Sequence, residues 1–183
     1  MNHFEVTGGE LACEGVGLTA IAEAVGTPVY VYSTATLERH YTVLRDALVN
    51  EGLGDPLIAF AVKANSNVAV LRTLARMGAG ADTVSEGEIR RALAAGVPPE
   101  RIVFSGVGKT EAEIAFALRH GVGEINVESE PEMHMASKVA QSMGTRAVIA
   151  IRVNPDVSAG GHAKISTGKS DNKFGVSFSE AER

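Results

Sequence analysis

The sequence predicts an α/β fold: an incomplete (β/α)8 barrel of TIM type, with about five βα units and an N-terminal extension of strands and helices. From residue 57 onward, short apolar segments alternate with amphipathic helical segments at roughly 20-residue spacing, which indicates βα units and a parallel sheet. A doubly wound sheet fits this alternation equally well. The barrel is favoured because polar residues fall at the carboxyl ends of the predicted strands, where barrels build their active sites.

Residues 1–50 are predicted to form the N-terminal extension. Strand-like segments around His3–Val6 and Pro28–Tyr32 flank a predicted helix at Leu18–Val25. A longer helix is predicted from about Thr36 to Val49. Its apolar residues recur on one face, as expected of a helix that packs against a core; they are Leu37, Tyr41, Leu44 and Leu48.

Residues 51–183 are predicted to form the partial barrel. Five strands are expected, at Leu57–Val62, Ala81–Val84, Ile102–Ser105, Glu124–Val127 and Ala147–Val153. The first of them is a short apolar run bounded by turn residues, which is typical of a buried strand. Because a complete barrel needs about 250 residues, we expect the sequence to be an N-terminal portion of a longer protein.

Start and stop signals separate these strands. Three predicted helices begin with a capping box, in which a hydroxyl residue is followed three positions later by glutamate: Ser85/Glu88, Thr110/Glu113 and Ser129/Glu132. Glycines that suit helix ends precede the strands; they are Gly78, Gly96, Gly121 and Gly144.

Composition excludes several classes of function. A net charge of -5 disfavours nucleic acid or an anionic membrane surface as a partner. Cys13 is the only cysteine, which excludes a disulfide framework and suits a reducing cytosol. No apolar run approaches the roughly 20 residues of a membrane helix. The five histidines have no metal-ligand spacing. We therefore expect a cytoplasmic protein without a metal site.

Lys63 is the candidate catalytic residue. It follows the first predicted barrel strand and so lies at the rim of the sheet. A dry rim would favour the neutral amine, a nucleophile able to form a Schiff base. A lone lysine at a strand end more often reaches into solvent. Further polar residues in or at the carboxyl ends of the later strands strengthen the case for a site; they are Asp82, Ser105, Asn126, Glu128, Arg152 and Asn154.

Two nucleotide-binding patterns are incomplete. The segment Ser105–Thr110 ends like a phosphate-binding loop, but that pattern requires glycine at position 103, which is Val103. The glycine pairs Gly78/Gly80 and Gly106/Gly108 lack the third glycine of a dinucleotide fingerprint. A nucleotide triphosphatase or a dinucleotide-dependent enzyme is therefore disfavoured.

Several separated segments, in the same order, resemble the pyridoxal-phosphate decarboxylases of the ornithine, arginine and diaminopimelate group. They are Gly26–Tyr32, Ala59–Asn65, Gly80–Ile89 and Ile151–Asp156. The segments His162–Gly168 and Lys173–Gly175 are most similar to the diaminopimelate branch. The resemblance runs from about residue 10 to the end, and it implies the alanine-racemase-like class of barrel.

The resemblance implies pyridoxal 5'-phosphate as the cofactor and assigns roles to five residues. Lys63 would hold the cofactor through its amine and act as the catalytic residue. Asp82 and Arg152 would lie around the cofactor, with Arg152 near the phenolic oxygen of its ring; a structural ion pair is the other reading of Arg152. His162 and Lys173 would lie near the active-site mouth or the dimer interface, although an ordinary loop fits equally well.

The activity implied by the resemblance is decarboxylation of meso-2,6-diaminopimelate to L-lysine and CO2, the last step of lysine biosynthesis, in a full-length homodimer. The rest of the barrel and a C-terminal β domain would follow Arg183, so we expect the 183-residue chain alone to be inactive. Three alternatives stay open. These are a sister decarboxylase acting on ornithine, arginine or carboxynorspermidine, an alanine-racemase-type enzyme, and a protein that carries the cofactor without catalysis.

Overall fold

A computed structural model of the chain describes residues 2–154 and 175–181. The N-terminal part forms an antiparallel three-stranded sheet of β1 (Phe4–Thr7), β2 (Glu10–Cys13) and β3 (Val16–Gly17). Two helices follow, α1 (Leu18–Val25) and α2 (Thr34–Asn50). The predicted first strand and both predicted helices are confirmed, whereas β2 and β3 were not predicted.

The strand predicted at Pro28–Tyr32 is wrong. This segment forms no strand, although its β-branched and aromatic residues favour one. A strand requires a neighbour that exchanges backbone hydrogen bonds with it, and no described residue pairs with this segment. The side chain environment agrees with that, because Tyr30 is 84% exposed.

The barrel portion is a five-stranded parallel sheet. Its strands are β4 (Ala59–Ala61), β5 (Gly80–Thr83), β6 (Ile102–Phe104), β7 (Glu124–Val127) and β8 (Ile149–Ile151). Each strand pairs in parallel with the next strand along the chain, so the spatial order is the chain order. In a doubly wound sheet the spatial order of the strands reverses at a switch point. The five described strands of this sheet show no such reversal of order. The predicted incomplete barrel is confirmed.

Four helices connect these strands: α3 (Val68–Arg76), α4 (Glu86–Ala95), α5 (Glu111–His120) and α6 (Glu130–Ser142). Short 3-10 helices lie at Val62–Ala64 and Pro99–Arg101. The hydrophobic core lies between the sheet and these helices. Its largest fully buried apolar side chains are Phe104, Leu71, Ile89, Ile102, Ile114, Ile125, Val62 and Val127. A second cluster around Tyr41 packs α2 against α3.

Two strand predictions need correction. The strand predicted at Leu57–Val62 is shorter and only half-buried, because β4 borders the described sheet and Val62 already belongs to a 3-10 turn. The strand predicted at Ala147–Val153 is divided. Its first part is β8, and β9 (Val153–Asn154) instead pairs in parallel with β10 (Val176–Ser177), which leads into the short helix α7 (Phe178–Ala181).

All three predicted helix starts are confirmed, because Ser85, Thr110 and Ser129 each accept a hydrogen bond from the backbone N–H three residues later. Only Thr110 and Glu113 form the reciprocal capping box. The other two carboxylates, of Glu88 and Glu132, instead accept from the N–H one residue before the cap. They therefore tie the helix start to the segment leaving the preceding strand.

Candidate active site

A cavity of about 490 Å³ opens at the carboxyl ends of the barrel strands. Residues from or just after all five strands line it: Lys63, Asp82, Val84, Ser105, Gly106, Asn126, Glu128, Ile151 and Arg152. The structure thus brings the sequence candidates Lys63, Asp82 and Arg152 to one place. Asn154, which the sequence also placed at a strand end, is not among the lining residues.

Lys63 lies in the 3-10 turn directly after β4. The turn is anchored by Val62, which is fully buried. On its other side, Asn67 caps α3 by accepting the N–H of Ala69 at 2.9 Å. The Lys63 side chain makes no hydrogen bond or ion pair with any described residue. The side chain is exposed. The described residues therefore do not form the dry rim that would favour a neutral amine, and the amine is open to a ligand.

A chain of hydrogen bonds orients Asp82. The side-chain amide of Asn126 donates to the hydroxyl oxygen of Ser105 at 3.0 Å, and the Ser105 hydroxyl donates to Asp82 Oδ1 at 2.6 Å. The Nδ2 group of Asn126 is a donor, so the Ser105 oxygen acts as the acceptor in that hydrogen bond. The hydroxyl proton of Ser105 is therefore free to be donated to the Asp82 carboxylate. Three successive strands therefore hold one carboxylate in a fixed orientation beside the cavity.

Arg152 is paired with a buried carboxylate. Its Nη1 lies 3.1 Å from Glu128 Oε1, and the side chain of Glu128 is only 3% exposed. Glu128 Oε2 also accepts the N–H of Gly175 at 3.1 Å. The side chain of Arg152 is 40% exposed, so it keeps contact with solvent while the ion pair with Glu128 fixes its position. The ion pair that the sequence left as the alternative for Arg152 is thus present, at the cavity wall.

The sequence named Ser105, Asn126 and Glu128 only as polar residues at strand ends. The structure gives each a contact within the cavity wall, and these contacts depend on strand register, which the sequence pattern does not specify. His162 and Lys173 lie outside the described residues. No helix in the described part of the chain is long and apolar enough to cross a membrane.

Residues 35–183 match the protein family described as pyridoxal-dependent decarboxylase, pyridoxal binding domain. The chain belongs to this family. A diaminopimelate decarboxylase of Pseudomonas fluorescens is 54% identical over the whole chain, and one of Zymomonas mobilis is 51% identical over 97% of it. The chain spans 43% and 42% of these relatives, respectively.

A solved structure extends the comparison to the fold. Diaminopimelate decarboxylase from Helicobacter pylori, complexed with L-lysine, superposes with a TM-score of 0.85 at 43% identity. The match covers 90% of this chain and 41% of the solved one. The five-stranded sheet described above therefore corresponds to part of a known decarboxylase barrel.

The residues at the cavity fit pyridoxal phosphate. The cofactor carries an aldehyde, which a lysine amine can bind covalently, and the amine of Lys63 has no described partner that competes for it. The cofactor also carries anionic and phenolic oxygens, which suit the guanidinium of Arg152. Ser105 and Asn126, which carry a hydroxyl and an amide, line the same wall.

Proposed function

We propose that this chain supplies the lysine-bearing part of a pyridoxal-phosphate-dependent decarboxylase that converts meso-2,6-diaminopimelate to L-lysine and CO2. The observation that carries the proposal is the amine of Lys63, which has no partner among the described residues, at the carboxyl ends of a parallel sheet, in one cavity with Asp82 and Arg152. Family membership and two diaminopimelate decarboxylase relatives above 50% identity support it.

Each cavity residue has a proposed task. When bound, pyridoxal phosphate supplies an electron-accepting ring that stabilises the negative charge left as the substrate carboxylate departs as CO2. Lys63 would hold the cofactor through Nζ, and the same atom can hold or deliver a proton. Arg152 presents positive charge to an anionic oxygen, and Asp82 presents an oriented acceptor.

The choice of substrate rests on the relatives. Diaminopimelate decarboxylases match over almost the whole chain, and one of them has been solved with L-lysine bound. This favours diaminopimelate over ornithine, arginine or carboxynorspermidine, and decarboxylation over racemisation or mere cofactor carriage. His162 and Lys173 remain proposed residues of the active-site mouth or of a dimer interface.

The proposed organisation is the one that the family resemblance implies. Residues 1–50 form an extension, residues 51–183 form part of the cofactor-binding barrel, and the full-length enzyme acts as a cytoplasmic homodimer with a C-terminal β domain. We expect the 183 residues alone to release no CO2, since they correspond to about two fifths of the length of the decarboxylases they match.

The test measures CO2 and amine products from meso-2,6-diaminopimelate, L-ornithine and L-arginine, using the protein at its natural length with pyridoxal phosphate. We expect CO2 and L-lysine from diaminopimelate only. Lys63→Ala should abolish turnover, whereas Lys138→Ala, which removes an exposed lysine of α6, should retain it. CO2 from ornithine or arginine in place of diaminopimelate, or alanine racemisation without CO2, would contradict the proposal.

A further inference from the structure

Lys109 belongs to the segment that resembles a phosphate-binding loop, yet its ammonium is fully occupied within the protein. Its side chain is 2% exposed. An ammonium has three hydrogens to donate, and Lys109 Nζ has three acceptors at 2.6 Å: the carbonyl oxygens of Gly106 and Asn126, and Glu132 Oε1. No donor remains for a phosphate, so the role of this lysine lies elsewhere.

The three acceptors belong to three different elements. Gly106 follows β6, Asn126 lies in β7, and Glu132 lies in the first turn of α6. One buried charge therefore joins the carboxyl ends of two neighbouring strands and the start of a helix. Both strand ends carry cavity residues, because Ser105 directly precedes Gly106, and Asn126 itself donates to Ser105.

A second connection leads from Lys109 to Arg152. Glu132 accepts the Lys109 ammonium with Oε1, and its Oε2 accepts the N–H of Glu128 at 3.4 Å. The side chain of Glu128 in turn binds Arg152. A change at Lys109 can thus reach the guanidinium at the cavity wall through two buried carboxylates.

We propose that Lys109 is a positioning residue of the active site. Its buried ammonium ties the ends of β6 and β7 together, and thereby fixes the orientation of the Ser105–Asp82 hydrogen bond and the place of Arg152 beside Lys63. The part of this inference that concerns the cofactor rests on the proposed function. The tie between the strand ends does not depend on it.

The test removes the buried charge of Lys109 together with that of its partner Glu132, so that no unpaired charge is left in the interior. Lys109→Met alone leaves the Glu132 carboxylate buried without its partner and endangers folding, so it is combined with Glu132→Gln, which retains an acceptor for the Glu128 N–H. The matched control is Lys138→Met with Glu111→Gln. That pair joins α5 to α6 at 2.8 Å, but both of its side chains are exposed.

Two quantities are measured on the natural-length protein: amide hydrogen exchange by mass spectrometry, and the dissociation constant of pyridoxal phosphate from its absorbance. We expect faster exchange in residues 105–109 and 126–129 of the Lys109/Glu132 variant. We also expect at least about tenfold weaker cofactor binding, since small displacements of positioning groups have large effects. The control pair should match the wild type in both.

The outcomes separate this inference from the proposed function. Unchanged exchange in both segments would overturn the tie, whatever the cofactor does. Faster exchange with wild-type cofactor affinity would overturn the positioning role, because the tie would then serve stability alone. If the wild-type protein takes no cofactor at Lys63, the proposed function fails, while the exchange measurement still decides whether Lys109 joins the two strand ends.

Discussion

At the residue scale, Glu128 determines how the positive charge of Arg152 is presented. The carboxylate is buried and accepts hydrogen bonds from both Arg152 and the backbone of Gly175. A buried carboxylate is stable only while such partners compensate for its lost hydration. The contact with Arg152 also holds the guanidinium at the cavity edge. Glu128 therefore both neutralises the charge of Arg152 and fixes its position.

We expect Glu128→Gln to lower the free energy of unfolding by about 1.5–3 kcal/mol, the range for hydrogen bonds to charged groups. The glutamine amide would bring donor hydrogens toward the donors of Arg152 and Gly175. Urea denaturation measures the loss. The control is Glu86→Gln, which changes the same charge in the surface pair with Arg90 and should cost no more than about 1 kcal/mol. Equal losses for the two variants would show that burial of Glu128 adds nothing.

The sequence placed Lys63, Asp82 and Arg152 in or at the carboxyl ends of predicted strands, and the structure brings all three to one cavity. The sequence was not sufficient to predict their partners. Glu128 and Arg152 are 24 positions apart, and Lys109 and Glu132 are 23 apart. Such contacts depend on the register between neighbouring strands and on rotamers that only the packed structure defines.

At the element scale, the helix starts on the active-site side are linked to one another. The carboxylate of Glu113 closes the capping box of α5 and also accepts the N–H of Glu86, in the first turn of α4, at 3.4 Å. Partial burial raises the pKa of Glu113. Hydrogen bonds from Thr110 and Glu86, together with the charge of Lys109, outweigh that effect and hold the pKa below its usual range.

We expect Thr110→Ala to cost about 1 kcal/mol of unfolding free energy at neutral pH, the typical value of an N-cap. Because the folded pKa of Glu113 is lowered, its contribution is present above the usual glutamate pKa of about 4.3 and is lost as the pH falls through the lower folded value. The cost of Thr110→Ala should therefore shrink on acidification. Chemical denaturation at about pH 7 and about pH 3.5 measures this change.

The control for this prediction is the same substitution in a Glu113→Gln background, where the side chain at 113 no longer titrates. In the Glu113→Gln background, Thr110→Ala should lower the free energy of unfolding by a similar amount at both pH values. A wild-type background in which the cost is also independent of pH would contradict the assignment of the stability change to Glu113.

Elements with strong local signals were predictable from the sequence, whereas those defined by distant partners were not. The helix starts at Ser85, Thr110 and Ser129 were predicted because capping is a local interaction. The segment Pro28–Tyr32 has strand-like residues but lacks a described partner strand, and the sequence around Val153 does not reveal its pairing with Val176. Strand pairing is decided by tertiary structure, which propensity does not contain.

At the scale of the whole molecule, the order of the strands explains why one cavity collects residues from the whole barrel portion. Parallel strands in chain order place all their carboxyl ends on one side of the sheet. Residues 63 to 152 thereby contribute to a single wall although they are far apart in sequence. The alternation of strands and helices was enough to predict this arrangement, and the match to a solved decarboxylase barrel agrees with it.

The most direct test of the central claim is borohydride reduction of the natural-length protein with pyridoxal phosphate, followed by peptide mapping. Lys63 and Lys109 form a contrasting pair, because the first amine has no described partner and the second has three. We predict a stable pyridoxyl label on Lys63 and none on Lys109. Absence of label from Lys63, or label spread over other lysines instead, would contradict the assignment of the cavity as a pyridoxal-phosphate site.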